Sequence, residues 1–473
     1  MANSVLTSKP GTISEAEAAS RAAICHRRWR QLCNDYLPIS SPQSIWRMNR
    51  ETGSDEPPQG WKLHVSATIL DACSVFERVA PLLETRKVAF KAPSSLDELI
   101  KINSGIFHGY HQVGKFITVY PANDPAASDL AAEIHRLTKE FHPVKVPFDD
   151  QYCDGSSVFY RYGAFEPVER VDPDGRVYYV IRNPEGKEEE DDRRRAKPEW
   201  VADICCKGKI RSASFRGTPL GTRYRIFDAL SQRGKGGLYL AFDTESPRPC
   251  LAIVKEGRKN GELAWNGQDG RTLAENEYSV LKELGKVYDN VPCVGEGFDL
   301  NGSFYFIMEF IEGESLKNRM DRRRRRFSIR EILRFAISIA EVIEPIHKAG
   351  WVWNDCKPGN LMITPDGKFR AIDFEGSYPA DIHDPFNWRS TAFSTEFDGS
   401  EGFYADLFSF GAVLYFLVTG RLYDAADPVE IKRLRRNVPR KLRELITRLV
   451  TDRGVSLADV IGGLKKLEEE IPE

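Results

Sequence analysis

The sequence predicts an α+β fold in two successive domains, the second of which has two lobes. Three observations lead to this prediction. Short β-rich runs alternate with helical patterns between residues 61 and 165, and a dense charge run follows at 183–200. After residue 210 the pattern restarts with a sheet-rich stretch and continues as long helical patterns. At about 100 to 200 residues per domain, a chain of 473 residues suits such a division.

The composition is that of a globular protein without a large charge excess. Sixty-seven basic residues against sixty-nine acidic ones give a formal charge of -2. This balance exerts no general attraction on nucleic acid or anionic membrane, and neither is expected as a partner. The amino terminus lacks the apolar core of a secretion signal, and the longest apolar stretch, 407–420, is too short to span a bilayer. We therefore expect a cytoplasmic protein.

In the first domain, period-two runs predict strands and one amphipathic run predicts a helix. The strands are "WKLHVSAT", "GKFITVYP" and "SVFYRYGAF", and the helix is "SDLAAEIHRLTKEF". The run "NPEGKEEEDDRRRAKPEW" is typical of a solvated connector. We place the first domain at 1–185, a charged linker at 186–209 and the second domain at 210–473, with a small lobe at 210–312 and a large lobe at 313–473.

In the second domain, the small lobe contains the predicted strand "CLAIVKE", the helix "LAENEYSVLKELGKV" and a strand pair closing on "FYFIMEFIEG". The large lobe begins with "SIREILRFAISIAEVIEPIHKAG", whose apolar residues recur at helical spacing after a serine suited to capping. The order is that of a small sheet-rich lobe followed by a helical one.

The large lobe holds a set of residues suited to phosphoryl transfer. "DCKPGN" offers Asp355 to orient and deprotonate a hydroxyl nucleophile, Lys357 to stabilise the transferring charge, and Asn360 as a metal ligand. Asp373, in "AIDFEG", is a second candidate Mg²⁺ ligand at a distance along the chain that a β-hairpin would span. The implied cosubstrate is ATP or another nucleoside triphosphate, bound with Mg²⁺.

The small lobe supplies the remaining parts of such a site. Lys255, in the strand "LAIVK", suits the α- and β-phosphates, and Glu277 on the next helix suits an ion pair with that lysine. The loop "RGKGGLYLA" offers Gly234 and Gly236 to cradle phosphates, but Tyr239 stands where a third glycine would fall.

Residues 210–473 resemble a protein kinase domain. The segments "VKEGR", "ENEYSVL" and "IDFEG" are similar in particular to the kinase domain of class III and class IV lanthipeptide synthetases. The resemblance adds Glu309 to the nucleotide-binding residues. Two departures stand out: Trp353-Asn354 replaces the usual His-Arg before the catalytic aspartate, and Glu375 replaces the glycine of Asp-Phe-Gly.

The first domain carries a second candidate site rich in cations. Lys62 and His64 are two residues apart on one strand and project from the same face. Lys91, Lys115 and Arg161 each place a cation in or beside another apolar strand. Burying so many cations without acidic partners is costly unless an anion completes the site, and phosphate is the natural anion.

Residues 60–165 resemble the lyase domain of the same synthetases, a relative of bacterial effector phosphothreonine lyases, through "WKLHVSA", "FK", "GKFITVYP" and "YRYGAF". The resemblance implies that Lys91 is the general base and His64 the general acid of phosphate elimination. It also implies that Lys62, Lys115 and Arg161 hold the phosphate. Lys91 and Lys115 remain interchangeable as the base. A lysine acts as a base near neutral pH only if its pKa falls from about 10.4, and clustered cations lower it.

Together the two resemblances predict a bifunctional peptide dehydratase. It would phosphorylate serine or threonine in a ribosomal precursor peptide, recognised by a leader segment, and then eliminate phosphate to leave dehydroalanine or dehydrobutyrine. Full-length synthetases of these classes continue into a cyclase domain, whereas this sequence stops at "LKKLEEEIPE". Ring formation is therefore expected to be absent, supplied by a separate cyclase or maturation enzyme, or lost by truncation.

Two alternatives belong to other functional classes. One is a Ser/Thr signalling kinase whose amino-terminal domain only binds phosphopeptides. The other is a catalytically silent scaffold for a separate cyclase.

Overall fold

The computed structural model describes residues 13–51, 57–205, 215, 217–246, 250–323, 325–381, 393, 402–425 and 427–471. The chain divides into two compact units, each assembled from several segments. The first comprises 1–240, 256–272 and 299–304, and the second comprises 241–255, 273–298 and 305–473. The boundaries of the predicted domains stay a prediction.

Residues 13–51 and 57–165 form a seven-stranded sheet with helices. The helices are α1 (Glu15–Tyr36), α2 (Ala72–Thr85), α3 (Leu96–Ser104) and α4 (Asp124–Thr138). The strands are β1 (Ile39–Ser40), β2 (Trp46–Met48), β3 (Gln59–Val65), β4 (Ala89–Pro93), β5 (Ile117–Tyr120), β6 (Asp150–Gln151) and β7 (Val158–Ala164). They lie in the order β1-β2-β4-β5-β3-β7-β6, and every pairing is antiparallel. All three predicted strands and the predicted helix of this region are confirmed.

One face of this sheet forms a hydrophobic core. On β3, Leu63 and Val65 are fully buried in a cluster that includes Trp29 of α1 and Phe76 of α2. Because successive side chains of a strand alternate between faces, Lys62 and His64 belong to the opposite face. Burial of Leu63 and Val65 in the core therefore determines that Lys62 and His64 lie on the other face of the sheet.

The charge run forms part of a small sheet. Strands β8 (Glu169–Val171), β9 (Val177–Arg182) and β10 (Glu188–Glu190) lie in the order β10-β9-β8. Trp200, at the end of the run, donates from its indole nitrogen to Glu189 over 2.9 Å. The acidic half of the predicted connector thus includes a strand.

The following segment contains a short helix, α5 (Pro219–Thr222), and a five-stranded sheet with one helix. The strands are β11 (Tyr224–Arg233), β12 (Gly236–Asp243), β13 (Cys250–Arg258), β14 (Val294–Leu300) and β15 (Ser303–Glu309), in the order β11-β12-β13-β15-β14. Helix α6 (Gly270–Leu284) lies between β13 and β14 along the chain. The predicted strand and helix around Lys255 and Glu277 are confirmed.

The carboxyl-terminal part is mainly helical. Its helices are α7 (Leu316–Arg322), α8 (Ile329–Lys348), α9 (Tyr404–Thr419), α10 (Ile431–Leu434), α11 (Arg440–Thr451) and α12 (Leu457–Glu470). Five short strands form two small sheets: β16 (Glu314–Ser315), β17 (Trp351–Val352), β18 (Leu361–Ile363), β19 (Phe369–Ala371) and β20 (Tyr378–Pro379).

Two of these helices follow directly from their sequences. Helix α8 begins after Ser328, whose side chain accepts from the backbone of Glu331 while the Glu331 side chain accepts from the backbone of Ser328. Helix α9 is apolar on all sides and almost wholly buried, as expected for a central helix. Within the described ranges, the chain has no helix whose length and apolar character would let it span a bilayer.

Candidate functional sites

The register of the seven-stranded sheet places four of the five residues of the predicted lyase site on one face, and the fifth, Lys115, lies just before β5. Lys62 pairs directly with Arg161 across β3 and β7. On β5, Thr118 pairs with His64 on one side and with Lys91 on the other. Side chains of directly opposed residues in antiparallel strands share a face. The register therefore gathers residues from four strands opposite the hydrophobic core.

These residues line one cavity of about 150 Å³. It contains all five residues of the predicted lyase site, which are Lys62, His64, Lys91, Lys115 and Arg161. Its wall also includes Gln112, Tyr179, Asp191 and Arg193, which the sequence did not point to. Asp191 and Arg193 come from the predicted connector. Nothing in the sequence of that charge run indicated that its residues would form part of a cavity wall.

A buried carboxylate supports the histidine of this cavity. The Asp149 side chain is fully enclosed, and its Oδ2 lies 2.5 Å from His64 Nδ1. Lys115 Nζ lies 3.3 Å from Asp149 Oδ1. Burial alone would raise the pKa of Asp149, but Lys115 and His64 together lower it below its usual value. An ionised carboxylate only accepts hydrogen bonds, so Nδ1 carries a proton and Nε2 is the nitrogen left for other partners.

Burial and mutual repulsion lower the pKa values of the cavity's basic groups. Burial and the nearby Arg161 lower the pKa of Lys62 to about 7. Burial and Lys115 lower the pKa of Lys91 to about 8. The same two causes lower the pKa of His64, although Asp149 opposes them. Both lysines can therefore lose a proton near neutral pH, and in the absence of an anion His64 is neutral.

The surroundings of Lys91 and Lys115 differ. Lys91 Nζ lies 4.8 Å from the ring centre of Trp46 and 5.9 Å from that of Tyr120. Lys115 has the Asp149 carboxylate beside it. A carboxylate neighbour favours the charged form of a lysine, so this geometry favours Lys91 over Lys115 as the group that gives up its proton.

Two of the cations have acidic partners, contrary to the expectation from the sequence. Lys115 pairs with Asp149, and Arg161 Nη2 donates to Asp191 Oδ1 over 2.6 Å. Both acids lie outside the predicted strands, in a loop and in the charge run, where neither periodicity nor spacing singled them out. The cavity stays cationic, because five lysine and arginine side chains in its wall outnumber these two carboxylates.

The second candidate site is built on a short loop before a hairpin. Asp355 Oδ2 accepts from Lys357 Nζ and from Asn360 Nδ2, each over 2.7 Å. Strands β18 and β19 pair antiparallel and lead to Asp373, which confirms the predicted hairpin. Burial, followed by the negative charge of Asp373, raises the pKa of Asp355 to about 6. An aspartate with a raised pKa accepts a proton more readily than an ordinary one.

Helix α9 anchors this loop through one buried carboxylate. Asp406 is inaccessible to solvent and accepts from the backbone of Trp353 over 2.8 Å and of Asn354 over 2.7 Å. His347 Nε2 lies 2.9 Å from the same carboxylate. Asn354 has a φ of 63°, a left-handed conformation that asparagine tolerates better than most residues.

The Trp-Asn pair that departs from the kinase pattern ties the loop to the segment around Asp373. The Trp353 indole donates to the Asp373 carbonyl over 3.0 Å and stacks on Phe374 with ring centres 5.9 Å apart. Asn354 Nδ2 donates to the Gly376 carbonyl over 3.1 Å. Trp353 and Asn354 thus join the two acidic segments through two hydrogen bonds and one stacking contact.

Lys255 lies among three carboxylates. It forms an ion pair with Glu277 on α6, and its Nζ lies 2.9 Å from Glu375 Oε1 and 3.4 Å from Asp373 Oδ1. Glu277 is fully buried, and its other oxygen accepts from the backbone of Phe374 over 3.1 Å. Burial raises the pKa of Glu277 to about 7 although Lys255 opposes the shift. Burial disfavours the charge on Lys255, but the three carboxylates raise its pKa well above its usual value.

Gly234 and Gly236 are closely packed against neighbouring backbone. A Cβ on Gly234 would lie 1.7 Å from the Asn103 carbonyl oxygen, and one on Gly236 would lie 1.8 Å from that of Glu256. Such close approaches require glycine whether or not a nucleotide binds. The packing alone accounts for both glycines, and their contact with phosphates stays a prediction.

Glu309 is engaged by protein groups. Arg370 donates to both of its carboxylate oxygens, over 2.5 and 2.7 Å, and the Cys293 backbone donates to it over 3.1 Å. The nucleotide-binding role of Glu309 likewise stays a prediction.

The two predicted metal ligands, Asn360 and Asp373, both offer side-chain oxygen atoms. Hard oxygen donors are those that Mg²⁺ prefers, so this donor set fits the predicted metal. Carboxylate oxygens of Glu277, Asp373 and Glu375 also lie within 4.8 Å of one another.

Two protein-family matches cover the residues of the two candidate sites. Residues 39–208 match the RamC N-terminal domain, and residues 248–448 match the protein kinase domain. This chain joins a RamC N-terminal domain to a protein kinase domain. The RamC domain includes every residue of the cationic cavity, and the kinase domain includes Lys255, Glu277, Asp355 and Asp373. The predicted resemblance to a class III or class IV lanthipeptide synthetase is confirmed for both domains.

Curated relatives support the same assignment. The chain is 29% identical to a probable SapB synthase of Streptomyces coelicolor over 71% of its own length and 37% of that protein. It is 25% identical to a probable serine/threonine-protein kinase of Clostridium perfringens over 54% of its length and 39% of that kinase. It therefore spans less than half of either relative.

Among solved structures, the autoinhibited serine kinase domain of the giant muscle protein titin aligns with a TM-score of 0.44 and 17% identity. The alignment covers 53% of this chain and 82% of the titin chain.

Proposed function

We propose that the kinase domain phosphorylates serine or threonine in a ribosomal precursor peptide, and that the RamC domain eliminates the phosphate to leave dehydroalanine or dehydrobutyrine. The observation that carries this proposal is the cavity in which His64 meets five lysine and arginine side chains, three of them from strands of one sheet. The match to the RamC N-terminal domain and the similarity to a probable SapB synthase support a peptide as the substrate.

In the first step, side chains of the kinase domain position the reactants. Asp355 orients the peptide hydroxyl and accepts its proton, and Lys357, bonded to Asp355, stabilises charge on the transferring group. Lys255 holds the α- and β-phosphates while Glu277 holds Lys255. Asn360 and Asp373 would hold Mg²⁺, which neutralises phosphate charge when bound.

In the second step, the RamC domain performs a β-elimination. Lys91 takes the proton from Cα, and the electron pair of that C–H bond becomes the Cα–Cβ double bond. The Cβ–O bond breaks with its electron pair on the phosphate oxygen, which receives a proton from His64 Nε2. Lys62, Lys115 and Arg161 neutralise the phosphate throughout. The step consumes neither water nor an oxidant.

The bound phosphate supplies the charge that this mechanism requires. In the free cavity, burial and then the nearby Lys115 lower the pKa of His64. A phosphate dianion beside the imidazole opposes that effect and favours the protonated form. Substrate binding thus prepares His64 as an acid, while Asp149 keeps its Nδ1 proton in place.

The two activities on one chain suit a peptide that stays bound between steps. A leader segment that remains attached raises the effective concentration of the phosphopeptide at the second site. A cytoplasmic location and a separate cyclase that closes the rings are parts of this proposal.

The proposal is tested with two single substitutions and mass spectrometry of the peptide product. Asp355→Asn removes the kinase base and should leave the peptide unmodified, with phosphorylation slowed by about 10²- to 10⁴-fold. His64→Asn keeps a hydrogen-bond donor for Asp149 but cannot act as an acid, so phosphopeptide should accumulate.

Dehydrated peptide from the Asp355→Asn protein and unphosphorylated substrate would contradict the assignment of the kinase step. Phosphopeptide that persists with the wild-type protein would instead favour a domain that only binds phosphopeptides. Asp452→Asn, which changes an exposed carboxylate beside Arg448, serves as the control and should behave as wild type.

A further inference from the structure

Glu375 occupies a position where the usual kinase motif has no side chain. It follows Phe374, in place of the glycine of Asp-Phe-Gly, and it is only 7% exposed. Its Oε1 lies 2.9 Å from Lys255 Nζ. A glycine cannot make this contact, so the ion pair is a property of this sequence.

The local backbone fixes the place of Glu375. Asn276, the neighbour of Glu277 on α6, donates from its side-chain amide to the carbonyls of Glu375 over 3.0 Å and of Ser377 over 2.9 Å. The segment that carries Glu375 is thereby tied to the helix that carries the lysine's other buried partner.

The hydrogen-bonding capacity of Lys255 is taken up in this arrangement. A lysine ammonium has three N–H donors. Glu277, Glu375 and Asp373 all lie at ion-pair distance from it. A nucleotide that binds Lys255 through its phosphates must therefore displace at least one carboxylate.

We propose that Glu375 is a specificity-determining residue of the nucleotide site. Its carboxylate competes with the nucleotide phosphates for Lys255. Its negative charge also repels the phosphates, and a divalent cation bound with the nucleotide offsets that repulsion. Glu375 thus weakens binding of the metal-free nucleotide more than binding of the metal complex. This inference rests on the kinase half of the proposed function and is independent of the elimination step.

Calorimetric titration with ADP, with and without Mg²⁺, tests the proposal. Glu375→Gln removes the charge and keeps the size of the side chain, and Glu375→Gly restores the glycine of the usual motif. Each variant should bind metal-free ADP roughly tenfold more tightly than the wild type, as expected for the loss of one charge-assisted competitor. The gain should be smaller for Mg²⁺–ADP.

Glu444→Gln is the matched control, because it removes the same charge from an exposed pair with Arg440 on α11. It should leave ADP affinity unchanged. If both Glu375 variants fold, as judged by thermal melting, and bind metal-free ADP no more tightly than wild type, the competition does not exist. If the wild type binds no ADP with or without Mg²⁺, the kinase assignment itself fails.

Discussion

The chemistry assigned to the RamC domain depends on which lysine gives up its proton. Lys62 and Lys91 both have lowered pKa values, about 7 and about 8. Lys62 is opposite Arg161, which suits a phosphate-binding pair, whereas Lys91 lies between Trp46 and Tyr120. The surroundings favour Lys91 as the base and Lys62 as a phosphate ligand.

Replacement of each lysine by arginine separates these roles, because arginine keeps the charge but cannot act as a base near neutral pH. Lys91→Arg should lower the rate of elimination from a phosphopeptide by about 10²- to 10⁴-fold. Lys62→Arg should retain most of that rate. The opposite pattern, with Lys62→Arg inactive and Lys91→Arg active, would exchange the two assignments.

The pH dependence of elimination reports the same lysine. Below about pH 8, Lys91 of the free protein is mostly protonated and cannot accept a proton. At saturating phosphopeptide, where the bound phosphate keeps His64 protonated, kcat should therefore rise as the pH approaches about 8 and level off above it. A profile measured between pH 6 and pH 9 that falls throughout this range would exclude a lysine base with this pKa.

Among the residues of the cationic cavity, the sequence predicted those that stand in or beside strands. A period of two placed Lys62 and His64 together, and the other cations stood in runs recognisable as strands. Asp149 and Asp191 were missed because one lies in a loop and the other in a charge run, where no periodic pattern relates them to β3 or β7. Their roles come from contacts between residues far apart in the sequence.

At the scale of elements, the catalytic loop of the kinase domain depends on helix α9. Asp406 accepts two backbone hydrogen bonds from the loop and is fully buried. The sequence predicted the hairpin after the loop and the long helix α8 from local patterns. It did not indicate that Asp406, which directly precedes the apolar run 407–420, holds the loop, because no periodic pattern relates this aspartate to residues 353 and 354.

Asp406→Asn should therefore lower the rate of phosphorylation although it changes none of the proposed catalytic residues. Asp406 accepts from Trp353 through Oδ2 and from Asn354 through Oδ1, whereas an amide has a single acceptor oxygen and must lose one of the two bonds. Hydrogen bonds to a charged group contribute about 1.5 to 3 kcal/mol each. We expect phosphorylation to slow by about tenfold or more as the loop loses its position. Elimination from a supplied phosphopeptide should continue at the wild-type rate.

Initial rates of both steps, measured on the same preparation, check this prediction. A variant that phosphorylates at the wild-type rate would show that the Asp406 anchor is dispensable. Equal loss of both activities would indicate general unfolding, which thermal melting would reveal.

For the molecule as a whole, the proposed function requires two different reactions on one chain. In the proposed function the kinase domain adds a phosphate to the peptide, and the cationic cavity of the RamC domain then eliminates that phosphate together with the Cα proton. Composition and element order predicted the α+β class and the succession of the two domains. They could not predict the extent of each compact unit, because long-range packing assigns 256–272 and 299–304 to the first one.

The most direct test supplies a synthetic phosphoserine peptide to the Asp355→Asn protein in the absence of any nucleotide. The account predicts that the peptide loses phosphoric acid and gains a dehydroalanine that reacts with an added thiol. His64→Asn introduced into the same protein should stop this loss. An unchanged phosphopeptide, or a peptide returned to free serine, would contradict the account, since the first result describes a binding domain and the second a phosphatase.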